Sequence, residues 1–207
     1  DGRLDLTWGV APGTSTAPPS LLAGVPIHGS AQLRSQGPQA DWVAALHAGP
    51  NQLSMQGQTG PAAQADRWQL QWNWPSLQAV APLVAWLGEL SPAAQPWMPV
   101  AGQSEGQARL EGRWPHLAGQ VQAQAREWRS PQLRLHSALA QVRLGGGDDP
   151  AFSLQLALAG LDQTEPGTTH FVRRLDRLDA QAQGTLAEHQ VSWLLDSPAR
   201  PPAWAEP

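Results

Sequence analysis

The residues of this chain that could do chemistry do not converge. Its six histidines (His28, His47, His116, His136, His170 and His189) show no H-x-x-x-H or H-E-x-x-H spacing, so none forms a zinc helix, and we read them as solvated or hydrogen-bonded. Cysteine is absent, which removes disulfides, thiolate nucleophiles and cysteine–zinc sites. Gly145-Gly146-Gly147 runs into Asp148-Asp149-Pro150 rather than G-K-S/T, so it reads as a turn and not a phosphate loop. Two acids in a turn could hold Ca²⁺, but a solvated turn is the plainer reading. One G-x-S-x-G occurs, Gly102-Gln103-Ser104-Glu105-Gly106. A nucleophile elbow needs a strand before it and a helix after it. Here a Pro-rich stretch precedes and a strand pattern follows, so we read it as coincidence. Arg173, Arg174 and Arg177 would suit either anionic head groups or a solvated strand edge. No catalytic residue, metal ligand or cofactor follows, and we expect a non-enzymatic protein.

Composition narrows the class. The chain has 207 residues, of which 41 % are apolar and only 14 % charged, against roughly 25 % charged in ordinary soluble domains. Polarity comes from 23 Gln, and there is no Lys, so all thirteen basic residues are Arg. A formal charge of −4 leaves no basic footprint, which argues against nucleic acid as partner. No apolar run approaches the ~18 residues that cross a bilayer as a helix. The chain opens on Asp1-Gly2-Arg3-Leu4, already in strand rhythm, so we read it as a segment of a longer protein, with any membrane anchor outside it.

What must position any site is a set of strands. From Ser104 to Trp128, Gly106, Ala108, Leu110, Gly112 and Trp114 alternate with polar residues; after Pro115, Leu117, Gly119, Val121, Ala123 and Ala125 do the same. A period of two marks strands with one apolar face. The same rhythm runs through Gly2–Trp8, Gly29–Leu33, Trp42–Ala48, Leu53–Gly57, Trp68–Trp74, Leu133–Leu144, Phe152–Leu158, Leu175–Leu186 and Val191–Leu195, with Gly- and Pro-containing breaks. In Leu133–Leu144 the phase slips from Leu133 and Leu135 to Ala140, Val142 and Leu144, which predicts a bulge near Ala138–Ala140. Between Pro75 and Leu90 the spacing turns helical (Leu77, Val80, Leu83, Val84, Leu87). Pro75 suits the start, Gly88 a stop, and Pro82 an interruption. One β-rich unit over 1–207 is expected, divisible into sub-blocks 1–90 and 103–197.

The inward phase mixes Leu, Val and Trp with Gly and Ala. One short helix cannot cover so broad a face. Either it packs closed, as in a sandwich or solenoid where Gly and Ala allow close approach, or it stays open and takes a ligand. Trp42, Trp68, Trp72, Trp74, Trp114 and Trp193 fall in the apolar phase, so packing is their expected role rather than sugar stacking.

The order of several stretches resembles the translocation and assembly module TamB family in its repetitive, β-rich part. LHAGPNQLSMQGQTG is followed by Asp66–Pro82 (DRWQLQWNWPSLQAVAP), by Gly106–Gln124 (GQARLEGRWPHLAGQVQAQ) and by Ser130–Leu144 (SPQLRLHSALAQVRL). Asn51, Leu53, Gly57, Gly60, Asp66, Trp68, Leu70, Pro75, Leu77, Pro82, Leu110, Gly112, Trp114, Pro115, Leu117 and Gly119 fill the family's N-x-L-x-x-x-G, D-x-L-x-L and G-x-W-x-x-P-x-L-x-G places, with small shifts of spacing. Departures are the long linker at Ser91–Gly102 and Trp in place of Leu at several inward positions. The related AsmA-like lipid-transfer families share this strand grammar.

The resemblance implies an elongated, curved, antiparallel-rich all-β sheet folded into a hydrophobic groove (a β-taco), with one short helix near 75–88. It implies a periplasmic location, a parent protein anchored in the inner membrane, and a TamA-like outer-membrane β-barrel partner. It also implies a part in moving phospholipid, or in assembling outer-membrane proteins from unfolded clients. The groove-lining residues expected to meet acyl chains or clients are Trp42, Leu46, Leu53, Met55, Trp68, Leu70, Trp72, Leu110, Trp114, Val121, Leu133, Leu135, Phe152, Leu154, Leu156, Leu158, Leu178, Leu186, Val191 and Trp193. The alternative is a structural or carbohydrate-binding β-solenoid module.

Overall fold

The computed structural model describes residues 2–10, 25–61, 66–91, 93–113, 116–147, 149–165, 167–185 and 187–198. The expected corner at Trp114–Pro115 and the position of Leu186 lie outside them. The strands are β1 (Gly2–Val10), β2 (Ile27–Gln36), β3 (Gln39–Ala48), β4 (Asn51–Thr59), β5 (Arg67–Trp74), β6 (Ala101–Glu111), β7 (Ala118–Arg129), β8 (Leu133–Leu144), β9 (Phe152–Thr164), β10 (Phe171–Gly184) and β11 (His189–Asp196). They form one antiparallel meander in chain order, β1 to β11, that does not close into a barrel. The β5–β6 ladder joins the two sub-blocks into a single sheet. Every strand pairs antiparallel with its sequence neighbours, so the solenoid architecture is excluded.

Directly opposed residues share a face, and the register therefore aligns the apolar phases into transverse rows. One runs Leu6, Ala31, Ala44, Met55, Leu70, Ala108, Val121, Val142, Leu154, Ala182, Val191. The opposite face carries Gln71, Gln107, Gln122, Gln141, Gln155 and Gln181 in register across β5–β10. Gln107 Nε2 donates to Gln122 Oε1 at 3.2 Å, and in the next row Gln56 Nε2 donates to Gln69 Oε1 at 2.5 Å. Amides can bond to identical neighbours where like charges would repel. Gln thus lines this face in unbroken rows, with charged residues such as Arg109, Glu105 and Arg143 set among them.

The expected bulge at Ala138–Ala140 is not in β8, whose register with β7 and β9 is continuous. The irregularity sits in its neighbours and crosses the sheet as a crease. Register shifts occur between Ala101 and Gln103 and between Arg173 and Leu175, and Gly102, Glu127 and Gly160 have φ of +121°, +49° and +66°. At the crease, apolar residues step by three instead of two: Ala125 to Trp128, Ala138 to Leu135, Leu158 to Leu161, Leu178 to Leu175. Bulges bend strands, and this aligned set keeps the apolar face on one side through the bend.

Between β5 and β6, a 3₁₀ turn (Leu77–Val80) leads into α1 (Ala81–Leu90). The Ser76 hydroxyl caps it by accepting from the Ala79 N–H at 3.3 Å. Pro82 does not interrupt α1; it lies in the first turn, where a missing N–H costs nothing. Nor is Gly88 a stop: it lies inside α1, buried close to the Gln95 side chain. Leu77 and Val80 are buried with Val25, and Ile27, Ala48, Trp74, Leu83, Val84 and Trp128 pack around them. This is the only buried apolar cluster among the described residues, and it sits at one end of the strands.

A second anchor ties the opposite ends. The carboxylate of Asp66, 2 % exposed, accepts from the Gly60 N–H at 2.9 Å and from Arg113 Nη2 at 3.1 Å, while Arg113 Nε bonds its other oxygen. The Arg113 guanidinium also donates to the Gly60 carbonyl, and the Gly112 N–H donates to the Asp66 carbonyl at 2.9 Å. The Arg113 hydrogen bond first, then that of Gly60, hold the Asp66 carboxyl below its ordinary value against the opposing effect of burial. A carboxylate with a lowered folded pKa contributes stability above its unfolded pKa near 4 and loses it as pH falls through the folded value. Asp66→Asn should therefore lower the urea midpoint at pH 7, and the gap from wild type should narrow as pH falls below about 4. A gap unchanged down to pH 2 would contradict this role.

Candidate apolar trough

The apolar rows do not form a uniform surface. On β5, Trp68, Leu70, Trp72 and Trp74 stand in one file; on β9, Phe152, Leu154, Leu156 and Leu158 stand in another. Between them β7 offers Gly119, Val121, Ala123 and Ala125, and β8 offers Ala138, Ala140 and Val142. From β5 to β9 is four strand spacings, roughly 19 Å. A band of smaller side chains, crossed by Val121 and Val142 and ending at Leu144, thus runs along β7–β8 between two files of large ones. Ala180, Ala182 and Gly184 on β10 make a narrower one between β9 and Val191 and Trp193 on β11.

Among the described residues no second layer covers this face. Its central residues are half-buried by one another, and towards both edges they are exposed, Leu6 by 52 % and Trp8 by 46 %. Of the expected lining residues, Trp42, Leu46, Leu53, Met55, Trp68, Leu70, Trp72, Leu110, Val121, Phe152, Leu154, Leu156, Leu158, Leu178, Val191 and Trp193 share it. Leu133 and Leu135 lie beyond the crease, where Leu135 opposes Trp128.

Glycine does not simply leave space here. The Trp42 indole lies on Gly57, its cross-strand partner: a Cβ on Gly57 would fall 2.5 Å from Trp42 Cε2. Trp8 lies on Gly29 in the same way, and Trp72 on Gly106. At these three places on β1–β6, therefore, an aromatic ring fills the room that a glycine provides. Trp42 also meets Trp68 with ring centroids 5.5 Å apart, a favourable tilted geometry.

Two polar residues that the sequence offered only as motif positions set the trough's end. Ser104, the centre of the G-x-S-x-G, sits mid-strand in β6 and accepts the Trp72 indole N–H at 3.1 Å, so it positions an aromatic ring and is no nucleophile elbow. Asn51, 3 % exposed, starts β4 on the apolar face. Its amide donates to the Ser76 carbonyl at 2.8 Å and accepts from the Ser76 N–H at 3.1 Å, docking the helical connection onto the sheet. Beneath that connection lies a cavity of about 250 Å³ lined by Leu46, Leu53, Trp74, Leu77, Val80 and Leu83 among others. Asn51, its one polar lining residue, is already paired.

Of the histidines, His189 stands on the apolar face in the row of Phe152, with ring centroids 6.3 Å apart. His28 and His47 stack on the opposite face with centroids 4.6 Å apart, and His136 meets Glu127 at 2.6 Å. Among the described residues no group of three or more His, Asp or Glu could hold a metal, and no helix is long and apolar enough to cross a membrane. No protein-family model, curated protein or solved structure matches the chain.

The indole-on-glycine contact makes a specific prediction. Gly57→Ala should cost about 1–3 kcal/mol by overpacking, and most of that cost should vanish in a Trp42→Ala background, read by urea denaturation as a double-mutant cycle. Equal costs in both backgrounds would show that the ring does not occupy that space.

Proposed function

We propose that this chain is a non-enzymatic lipid-carrying segment of a TamB-like envelope protein, and that its apolar trough shelters phospholipid acyl chains. One observation carries the reading: an open apolar face, with a band of smaller residues between two files of large ones and no side-chain polar atom left buried without a partner among the described residues. Such a surface offers nothing to a ligand that needs hydrogen bonds. A peptide strand laid across it would bury backbone N–H and C=O groups without partners, at about 1–3 kcal/mol each. An alkyl chain brings no such groups and gains roughly 0.8 kcal/mol per methylene removed from water. Because that gain has no directional demand, chains can slide along the trough. This favours acyl chains over unfolded outer-membrane protein as the occupant of the face.

The wider setting rests on the resemblance of the Asn51–Gly60, Asp66–Pro82 and Gly106–Gly119 motifs to the TamB family. On that basis the segment works in the periplasm, in a parent anchored in the inner membrane, with a TamA-like outer-membrane barrel as partner. The placement of Trp8, Trp42, Trp68, Trp72 and Trp193 on the apolar face, rather than among Asp and Asn on the polar one, gives no support to a sugar-binding reading.

A photo-crosslinker at Ala140 should capture phospholipid, and one at Gln141 on the opposite face should not. Leu154→Arg or Leu156→Arg should reduce capture roughly tenfold or more, the loss of about two methylenes of burial, while far-UV circular dichroism stays β-type. Capture that is equal at Ala140 and Gln141, or unchanged by either arginine, would contradict the proposal. Crosslinks to unfolded outer-membrane protein instead of lipid would replace it with the client reading.

A further inference from the structure

We propose that the cavity beneath the helical connection is the seat of an alkyl chain's methyl end, a roofed subsite of the apolar face. The inference rests on the acyl-chain reading for where that chain comes from, but not for how the cavity is filled. The floor is the apolar face itself, with Leu46 on β3, Leu53 on β4 and Trp74 on β5. Leu46 opposes Leu53, and Leu53 opposes Trp72, so the floor runs on into the uncovered part of the face. The roof is Leu77, Leu83 and Val84 of the 3₁₀ turn and α1. Ser76 caps that turn and is itself gripped by Asn51, so the roof is held over the floor from its N-terminal end.

Chemistry selects the occupant. By volume, several waters fit in about 250 Å³, but a buried water needs two to four polar partners. Among the described lining residues only Asn51 is polar, and its amide already donates to the Ser76 carbonyl and accepts from the Ser76 N–H. Left empty, the cavity forfeits the dispersion contacts of its walls. An apolar guest restores them. About 150 Å³ of such space admits one benzene, so this cavity takes a chain segment of roughly eight to ten carbons. A head group, a carboxylate or a peptide bond would give up its hydrogen bonds to water inside it and find none in return. The methyl end therefore enters, and the polar end stays outside.

Two long-chain fatty acids test this on the wild-type chain, one carrying a photoreactive diazirine at its methyl end and the other beside its carboxyl group. Adducts are located by peptide mass spectrometry. The methyl-end probe should label Leu46–Leu53 and Leu77–Val84, and the carboxyl-end probe should label them about tenfold less or weaker still. Ala48→Phe, which fills the cavity from its floor, should lower methyl-end labelling there by about tenfold or more, the loss of roughly two methylenes of burial. Labelling of β7–β8 should persist in that variant, with its far-UV spectrum retained. If Ala48→Phe fails to fold, Leu83→Trp fills the cavity from the roof and decides. Methyl-end labelling absent from the cavity, equal labelling of the cavity by both probes, or labelling undiminished by the filling variant would each overturn the proposal. Labelling of the cavity without β7–β8 would uphold it and count instead against the trough as the path of the chain.

Discussion

An apolar face eleven strands wide, with no second layer above it among the described residues, is the constraint on which the rest of this structure depends. Ordinary sheets bury such a face against another sheet or several helices. Here the strands bury one another instead. Indole rings lie flat on glycines of the next strand, as Trp42 does on Gly57, so that large side chains are sheltered within the layer. The one short helical connection covers only the end of the sheet, where Leu77 and Val80 make the buried cluster. Backbone pairing between sequence neighbours supplies the remaining order, and the Gln rows on the far face keep that side polar.

The crease follows from the same constraint. A strand that bends by a bulge would ordinarily turn its apolar set to the other face, because the side-chain period is two. When the irregularities line up across β6–β10, the three-residue step from Ala125 to Trp128 and its counterparts on the other strands restores the phase. The bend is thereby compatible with a continuous apolar surface, and Trp128 reaches the helical cluster. Asp66 with Arg113, and Asn51 with Ser76, secure the two ends of the layer by polar contacts.

Much of the fold was legible because alternation is local. Each strand could be read from its own residues, and Leu77, Val80, Leu83 and Val84 marked the helix. What could not be read was anything that depends on register. Gly57 and Gly106 read as empty space, since nothing in β4 or β6 alone announces that Trp42 and Trp72 will lie on them. The phase slip in β8 was visible, but it suggested a bulge in a strand whose pairing with both neighbours is continuous. The three-residue steps at Leu158–Leu161 and Leu175–Leu178 carried the same signal and were readable only as a set. Pro82 and Gly88 misled because their effect depends on position: a first-turn proline is harmless, and a buried glycine in a helix can answer to close packing, here against Gln95. Asn51 and Ser104 stood out only as motif positions, because a polar residue in an apolar row has meaning only once its partner is known.

The central claim is that the apolar face is open and accepts alkyl chains. Tryptophans on that face make quenching by phospholipids brominated along their acyl chains the most direct measurement. The account predicts that such lipids quench the emission of Trp72 and Trp68, measured in a variant with the other indoles replaced by phenylalanine, and that a water-soluble brominated head-group analogue does not. Emission indifferent to brominated chains would mean that the face is closed in solution, and would contradict it.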